Sequence, residues 1–300
     1  MSSTGPPPGA RTAEAEIRDV RYGTYAGERR GRAAAVASLA RWGALRSLGA
    51  RRGWKAKAVP ITLILLAVAP AVIVLGVRAL FADQTGIDLT DALPFSGYQA
   101  IIGVVILLFA GITTPELLCP DRRDGVLQLY FSTAVSRGEY LLGRVIAAIA
   151  PLLLVTMVPM LVLYAGILVF EEHPVGYLQD HWAELPRIVG AGVILAVYYG
   201  MVGLAVSSLT GRRAFAIGGY LLLLVAPTTL SALLQEAFDG AEELDLVSLS
   251  TLPIGFAGEL FPDARDDIPN SLWQFALAYL VVVGAAAVVL LRRYRPGSEA

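Results

Sequence analysis

The sequence predicts an all-α integral membrane protein with six transmembrane helices, an N-terminal basic interfacial helix, and a short cytoplasmic helix between the second and third spans. Three observations lead there. Six long apolar runs occupy residues 59–77, 98–114, 145–170, 188–209, 214–234 and 272–291. Runs of roughly 17–25 apolar residues suffice to cross a hydrocarbon layer of ~30 Å as a helix. None of the six contains Asp, Glu, Lys, Arg or His. Charged residues make up 16% of the 300-residue chain and hydrophobic ones 56%, whereas soluble domains carry about 25% charged residues. In lipid each backbone N–H and C=O must be satisfied within the chain, which makes each run a helix.

The third observation is the placement of positive charge, which sets orientation. If the first span enters from the cytoplasm, 21 of the 24 Lys and Arg residues fall on the inside. Twelve precede Val59, four lie between Arg122 and Arg144, two are Arg212 and Arg213, and three close the chain. The outside keeps Arg78, Arg187 and Arg265, together with an acidic group that includes Asp239, Glu242, Glu243, Asp245, Asp263, Asp266 and Asp267. This is the positive-inside bias. The expected location is the cell (plasma) membrane, multi-pass, with both termini cytoplasmic.

Taken in order, residues 1–32 are rich in Pro, Gly and Arg, with Pro6-Pro7-Pro8 near the start. Such a segment has nothing to bury and is expected to be a disordered cytoplasmic tail. No apolar core follows Met1 closely, so no cleavable signal is expected and the first span should remain as an anchor. Residues 33–57 mix helix formers with Arg41, Arg46, Arg51, Arg52 and Trp42. They predict a basic helix lying in the membrane interface. A polybasic flank that only sets topology is the other reading. The six-span domain then covers 58–295, and 296–300 form a cytoplasmic tail.

Span 145–170 is 26 residues, about 39 Å as a helix at ~1.5 Å per residue. It should tilt or bend, with Pro151 and Pro159 as the bend points. In the fourth span Gly192, Ala196 and Gly200 share one helix face and would let another helix approach closely. That seam could lie within the subunit or between two. The outer loop 235–271 has a mildly apolar middle, Val247 to Leu260, broken by Pro253, Gly255 and Gly258. It is too short to span. A re-entrant turn and an ordinary folded loop both fit.

The loop between spans two and three is the most informative. A charged turn, Asp121-Arg122-Arg123-Asp124-Gly125, leads into the apolar segment Val126–Phe131. A second polar turn carries Arg137 and Glu139. Leu127, Leu129, Tyr130 and Phe131 are too apolar for a free solvated connector, so a short packed helix is expected.

This loop resembles the cytoplasmic loop of permease subunits in type-2 ATP-binding-cassette (ABC) transporters. The resemblance rests on Asp124-Gly125, Leu127, Val135-Ser136-Arg137, Glu139-Tyr140 and Gly143-Arg144. Ala134 stands where that family usually has Pro, and Arg144 where it usually has Lys. With the six-span topology and the long last outer loop, it covers about residues 35–295. It implies a membrane subunit of an exporter that pairs with a second permease subunit, as a homo- or heterodimer, and with a soluble ABC ATPase subunit. Residues 33–57 would be the elbow helix. The loop 116–140 would be the coupling helix, with Asp121, Arg122, Arg123, Asp124, Gly125, Leu127, Tyr130, Phe131, Arg137 and Glu139 at the ATPase contact. No cofactor is expected on this chain. ATP and Mg are expected on the partner ATPase. A membrane subunit with a scaffold role, or one handling lipid or protein mechanically, is the alternative.

Other classes lack their residues. A phosphate-binding loop needs G-x-x-x-x-G-K-[ST], and the two lysines, Lys55 and Lys57, do not follow a Gly. An intramembrane enzyme needs a base beside its nucleophile, yet the spans hold hydroxyls (Thr156, Ser207, Ser208, Thr228, Thr229, Ser231) and no base. Ion-coupled carriers usually place carboxylates at membrane depth, and the runs hold none. His173 and His181 sit in an acidic outer loop, where solvation is a better account than metal. Cys119 is the lone cysteine, so no internal disulfide is available. No catalytic residue, metal site or nucleic-acid partner is expected, and membrane lipid is the surrounding medium.

Overall fold

The structure is a computed structural model that describes residues 31–50, 53–85, 94–131, 135–171, 173–237, 246–262 and 272–295. The tail up to residue 30, the outer acidic residues 239–245 and 263–267, and the C-terminal tail 296–300 lie outside the described residues. The described chain is helical, with no strand among the described residues. Twelve helices follow in order: α1 (Arg32–Ser47), α2 (Trp54–Thr85), α3 (Phe95–Thr113), α4 (Pro115–Arg123), α5 (Leu127–Phe131), α6 (Arg137–Thr156), α7 (Val158–Phe170), α8 (Pro174–Asp180), α9 (Glu184–Ser207), α10 (Arg213–Ala237), α11 (Leu252–Gly258) and α12 (Leu272–Arg293).

Among the described residues, six crossings are long and apolar enough to span a membrane: Trp54–Leu80, Gly97–Arg123, Arg137–Phe170, Glu184–Ser207, Arg213–Ala237 and Leu272–Arg293. The chain is thus a multi-pass, all-α membrane protein. Crossings α3 and α9 are largely buried, and α2, α10 and α12 are mostly exposed. The outer three carry bare apolar side chains such as Leu65, Ile73, Leu222 and Leu280. Exposed apolar surface on this scale would be costly in water and is satisfied by lipid.

Two span limits change from the sequence reading. The second and third crossings run past the apolar stretches at the Lys- and Arg-rich end, here called the basic end. Helix α4 follows α3 after a single turn residue, Thr114, whose backbone stays helical (φ −68°, ψ −38°). Helix α6 starts at Arg137, eight residues before the apolar run. The connection is therefore shorter than 116–140, because its two ends belong to helices packed in the bundle.

The third crossing bends. Helix α6 stops at Thr156 and α7 begins at Val158, with Met157 between them and Pro159 in the first turn of α7. Pro159 has no N–H to give to the Val155 carbonyl, and its ring would clash with it. Pro151 is accommodated inside α6. The Gly192–Ala196–Gly200 face of α9 packs within the subunit against this bent crossing. A Cβ on Gly192 would sit 3.0 Å from Met157 Cβ, and one on Gly200 3.3 Å from Leu152 Cδ1. The Thr156 hydroxyl donates to the Gly192 carbonyl (3.0 Å).

Residues 33–57 do not form one helix. Helix α1 ends at Ser47, and Trp54–Lys57 belong to α2. The stop is made by Gly49 at φ +76°. Its N–H bonds to the Arg46 carbonyl (3.0 Å) and Ala50 N–H to the Leu45 carbonyl (2.8 Å). This is a Schellman end, which needs a left-handed residue that glycine adopts without strain. Ala40, Gly43 and Ser47 form the buried face of α1. That face docks on α6, where a Cβ on Gly43 would lie 2.7 Å from Ala147 Cβ.

The segment 246–262 is re-entrant. The Tyr198 and Tyr199 hydroxyls of α9 donate to the Leu249 (2.7 Å) and Ser250 (2.6 Å) carbonyls. Tyr199 lies 15 residues into α9, about 22 Å along the helix at ~1.5 Å per residue. The turn before α11 therefore reaches deep into the bundle. Non-helical backbone at that depth must be satisfied by protein. Besides the two tyrosines, Ser250 N–H donates to Thr228 Oγ1 (3.2 Å), and the Ser231 and Ser248 hydroxyls pair. From there α11 climbs back towards its entry side, with Phe261 stacked on Phe95 at the start of α3 (6.1 Å between centroids).

Candidate functional site

The sequence placed its candidate residues in the α4–α5 region, and local folding begins with Pro115. Lacking an N–H, it opens the backbone ladder after Thr113. The Thr113 and Thr114 hydroxyls bond back to the Phe109 (2.7 Å) and Ala110 (2.8 Å) carbonyls, occupying acceptors in the turn before the break. Helix α9 comes close here because residue 203 is glycine: a Cβ would be 2.4 Å from Thr114 Oγ1. Leu117, Leu118 and Cys119 are fully buried, and the Cys119 thiol lies 3.7 Å from the Ser207 carbonyl.

Helix α4 ends on a second Schellman turn. Gly125, at φ +67°, gives its N–H to the Arg122 carbonyl (3.3 Å), and Val126 N–H bonds to the Asp121 carbonyl (3.2 Å). The chain reverses and forms α5. At the start of α6, Ser136 and Glu139 make a capping box: Glu139 N–H donates to Ser136 Oγ (3.3 Å) and Ser136 N–H to Glu139 Oε2 (2.7 Å). Glu139 thus fixes where α6 begins.

Asp121 is placed inside the subunit. Its carboxylate is 2% exposed and lies against the 3%-exposed Arg144 guanidinium. The Tyr140 hydroxyl donates to Oδ2 (2.9 Å), and Arg46 of α1 reaches Oδ1 (3.1 Å). The Arg144 guanidinium also lies over the rings of Tyr140 (5.1 Å) and Tyr130 (5.9 Å). Tyr140 in turn neighbours Tyr130 (5.4 Å) and Tyr294 (5.8 Å). Burial pushes the Tyr294 phenol up to about 12, so it stays neutral at physiological pH. Arg137 donates to the Tyr294 carbonyl (3.4 Å), a favourable place for a cation just past a helix C-terminus. One carboxylate and its neighbours therefore tie α1, α4, α5, α6 and the end of α12 together. Glu116 pairs with Arg213 and ties α4 to α10.

Around this anchor the surface is mixed. Arg123 and Asp124 are exposed and pair with each other (2.9 Å). Gly125 is exposed, and Arg122, Leu127, Tyr130, Arg137 and Glu139 are half-buried. The Phe131 side chain lies outside the described residues. Leu129 of α5 is 69% exposed, a bare apolar side chain. Sequence reasoning missed Arg46, Tyr140 and Arg144 as partners of Asp121, and the Glu116–Arg213 pair. The available signal was Arg144 immediately before an apolar run, since a cation at such a boundary requires a counter-charge when buried.

This arrangement is a rigid polar hub beneath a small exposed helix, at one end of a six-crossing bundle. Comparison with known families identifies a match over residues 51–246 to the model described as ABC-2 family transporter protein. That is more than half of the chain. The chain belongs to this family. The match runs from the start of α2 through α10, with α1, α11 and α12 outside it. It is narrower than the 35–295 of the sequence resemblance, but it contains all of α4, α5 and α6. As an ABC-2 family member the chain is the membrane-embedded permease component of an ABC-type transporter. No curated protein matches it.

Proposed function

We propose that this chain forms the substrate pathway of an ABC exporter as a dimer, and that a separate soluble ATPase drives it through the α4–α5 region. ATP and Mg belong to the partner. Both termini and the basic end face the cytoplasm, and the bundle sits in the plasma membrane. The observation that carries the reading is the pairing of an exposed docking knob with a buried clamp. Arg123, Asp124 and Leu129 face outward, while Asp121 and Arg144 behind them are sealed in the protein. A push on α5 is passed through Tyr130 and Arg144 to α6, and through Asp121 and Arg46 to α1. Nucleotide binding on the partner then biases a bundle with two arrangements. The bend at Met157 and the re-entrant turn at Ser248–Ser250 are the joints available to such a change.

The test is co-purification of the full chain with candidate ABC ATPases in detergent. Wild-type chain retains its ATPase. Arg123→Glu and Leu129→Asp lose it while keeping a monodisperse elution profile. Retention by both variants refutes the docking assignment. If the complex forms but its ATPase activity moves no cargo across vesicles, the scaffold or mechanical reading gains.

A further inference from the structure

A cavity of about 320 Å³ opens at the basic end, between the end of α1, the first turns of α2, the α3–α4 junction and the start of α10. Arg46, Lys55 and Arg213 supply its charge, Glu116 lies in its wall, and Val59 and Ile112 contribute apolar surface. The two arginines are held in place, Arg46 by Asp121 behind it and Arg213 by Glu116 in the wall, and each keeps about a third of its side-chain surface exposed (34%). The lining itself sets three cations, Arg46, Lys55 and Arg213, against one carboxylate, Glu116, and Asp121 behind Arg46 is shared with Arg144, so the cavity carries excess positive charge. Lys55 is exposed and has no carboxylate partner among the described residues. Trp54 beside it is 78% exposed, at the position where an aromatic belt marks the membrane–water boundary.

We infer that this cavity binds the headgroup of an anionic phospholipid from the adjoining leaflet. A guanidinium already paired to a carboxylate keeps N–H donors for a phosphate oxygen, and its geometry is set in advance. Lys55 supplies the point charge that makes the net interaction favourable. Val59 and Ile112 sit on the membrane side, where the glycerol and first acyl carbons would lie. A free phosphate would satisfy the three cations but leave that apolar wall unused, so a lipid is the better occupant. Basic pockets between membrane helices bind acidic headgroups on these terms. An occupied site would cross-link α1, α2, α4 and α10 beside the Asp121 hub. This inference stands whether or not the ATPase reading holds.

The test is native mass spectrometry of the full chain in a non-ionic detergent. The added probes are phosphatidylglycerol, phosphatidylcholine and inorganic phosphate, each in turn. The expected result is one saturable phosphatidylglycerol per chain, weakened about fivefold by Lys55→Ala, the value of roughly one headgroup-facing cation. Lys55→Glu weakens it further and Lys55→Arg restores it. All three substitutions fall on an exposed side chain, and Lys55→Arg controls for folding. Equal retention of phosphatidylcholine overturns the inference, as does phosphatidylglycerol retention unchanged in Lys55→Ala and Lys55→Glu. Lys55-dependent binding of inorganic phosphate without lipid retention would reassign the cavity to a soluble anion and also overturn it.

Discussion

Asp121 holds the basic end together because of what its removal would leave behind. Arg144 is 3% exposed, and a buried cation that loses its partner costs about 3–5 kcal/mol. Asp121→Ala should therefore sharply lower the thermal midpoint and the folded yield. Removing both charges, in Asp121→Leu with Arg144→Met, should recover much of that loss, since Arg46 is a third exposed and can turn to water. Thermal unfolding of Asp121→Leu, Arg144→Met and the double variant measures the coupling, and additive losses would contradict it. Tyr199 makes a second residue-scale case. Its hydroxyl satisfies the Ser250 carbonyl at membrane depth, and Tyr199→Phe leaves that acceptor buried. The expected cost is about 1–3 kcal/mol, read as a lower thermal midpoint in detergent. A neutral substitution would show that the re-entrant turn finds another donor.

At the scale of elements, two turns set the geometry of the basic end. Gly125 lets α4 stop and the chain reverse into α5. Gly125→Ala places a Cβ on a left-handed residue, at about 1–2 kcal/mol, and nothing crowds that position. The fold should survive while α5 tilts, so weakened ATPase retention with a thermal midpoint lowered by only a few degrees is the expected outcome. Gly203 behaves oppositely. Any side chain there meets Thr114, so Gly203→Val should lower stability by about 1–3 kcal/mol through overpacking, measured by the same melt. Much at this scale was legible in the sequence. Six apolar runs predicted six crossings, the Val126–Phe131 cluster predicted α5, and Pro159 was named as a bend point. What the sequence could not give was which ionisable residues fold inward. Asp121 reads as part of a charged surface turn until α4 is seen to continue α3 and carry it beneath the surface. The break at Gly49 was hidden because Gly43, Gly49 and Gly53 all interrupt residues 33–57, and only the left-handed backbone at Gly49 shows which of them ends α1. The re-entrant turn depended on tyrosines some fifty residues away in the chain, a distance over which periodicity carries no information.

Across the whole molecule the bundle is polarised. The basic end is a stiff hub of ion pairs, and the far end carries the Arg78–Glu171 pair (2.7 Å) and the mouth of the re-entrant segment. Between them the hydroxyl and tyrosine cluster around Ser248–Ser250 links α9, α10 and the turn before α11. A transporter worked from one end needs a rigid handle there and compliant joints further in, and the distribution of ionic and hydroxyl contacts matches that demand. On the proposed function, a soluble ATPase grips this handle. Cysteine cross-linking tests it most directly, because the native Cys119 is fully buried and gives little background. Leu129→Cys on α5 and Val175→Cys on α8, both exposed in the wild type, would each carry a photo-crosslinker in membranes holding the partner ATPase. An ATP-sensitive cross-link to the ATPase is expected from position 129 and none from position 175. A cross-link from 175 with none from 129 would contradict it.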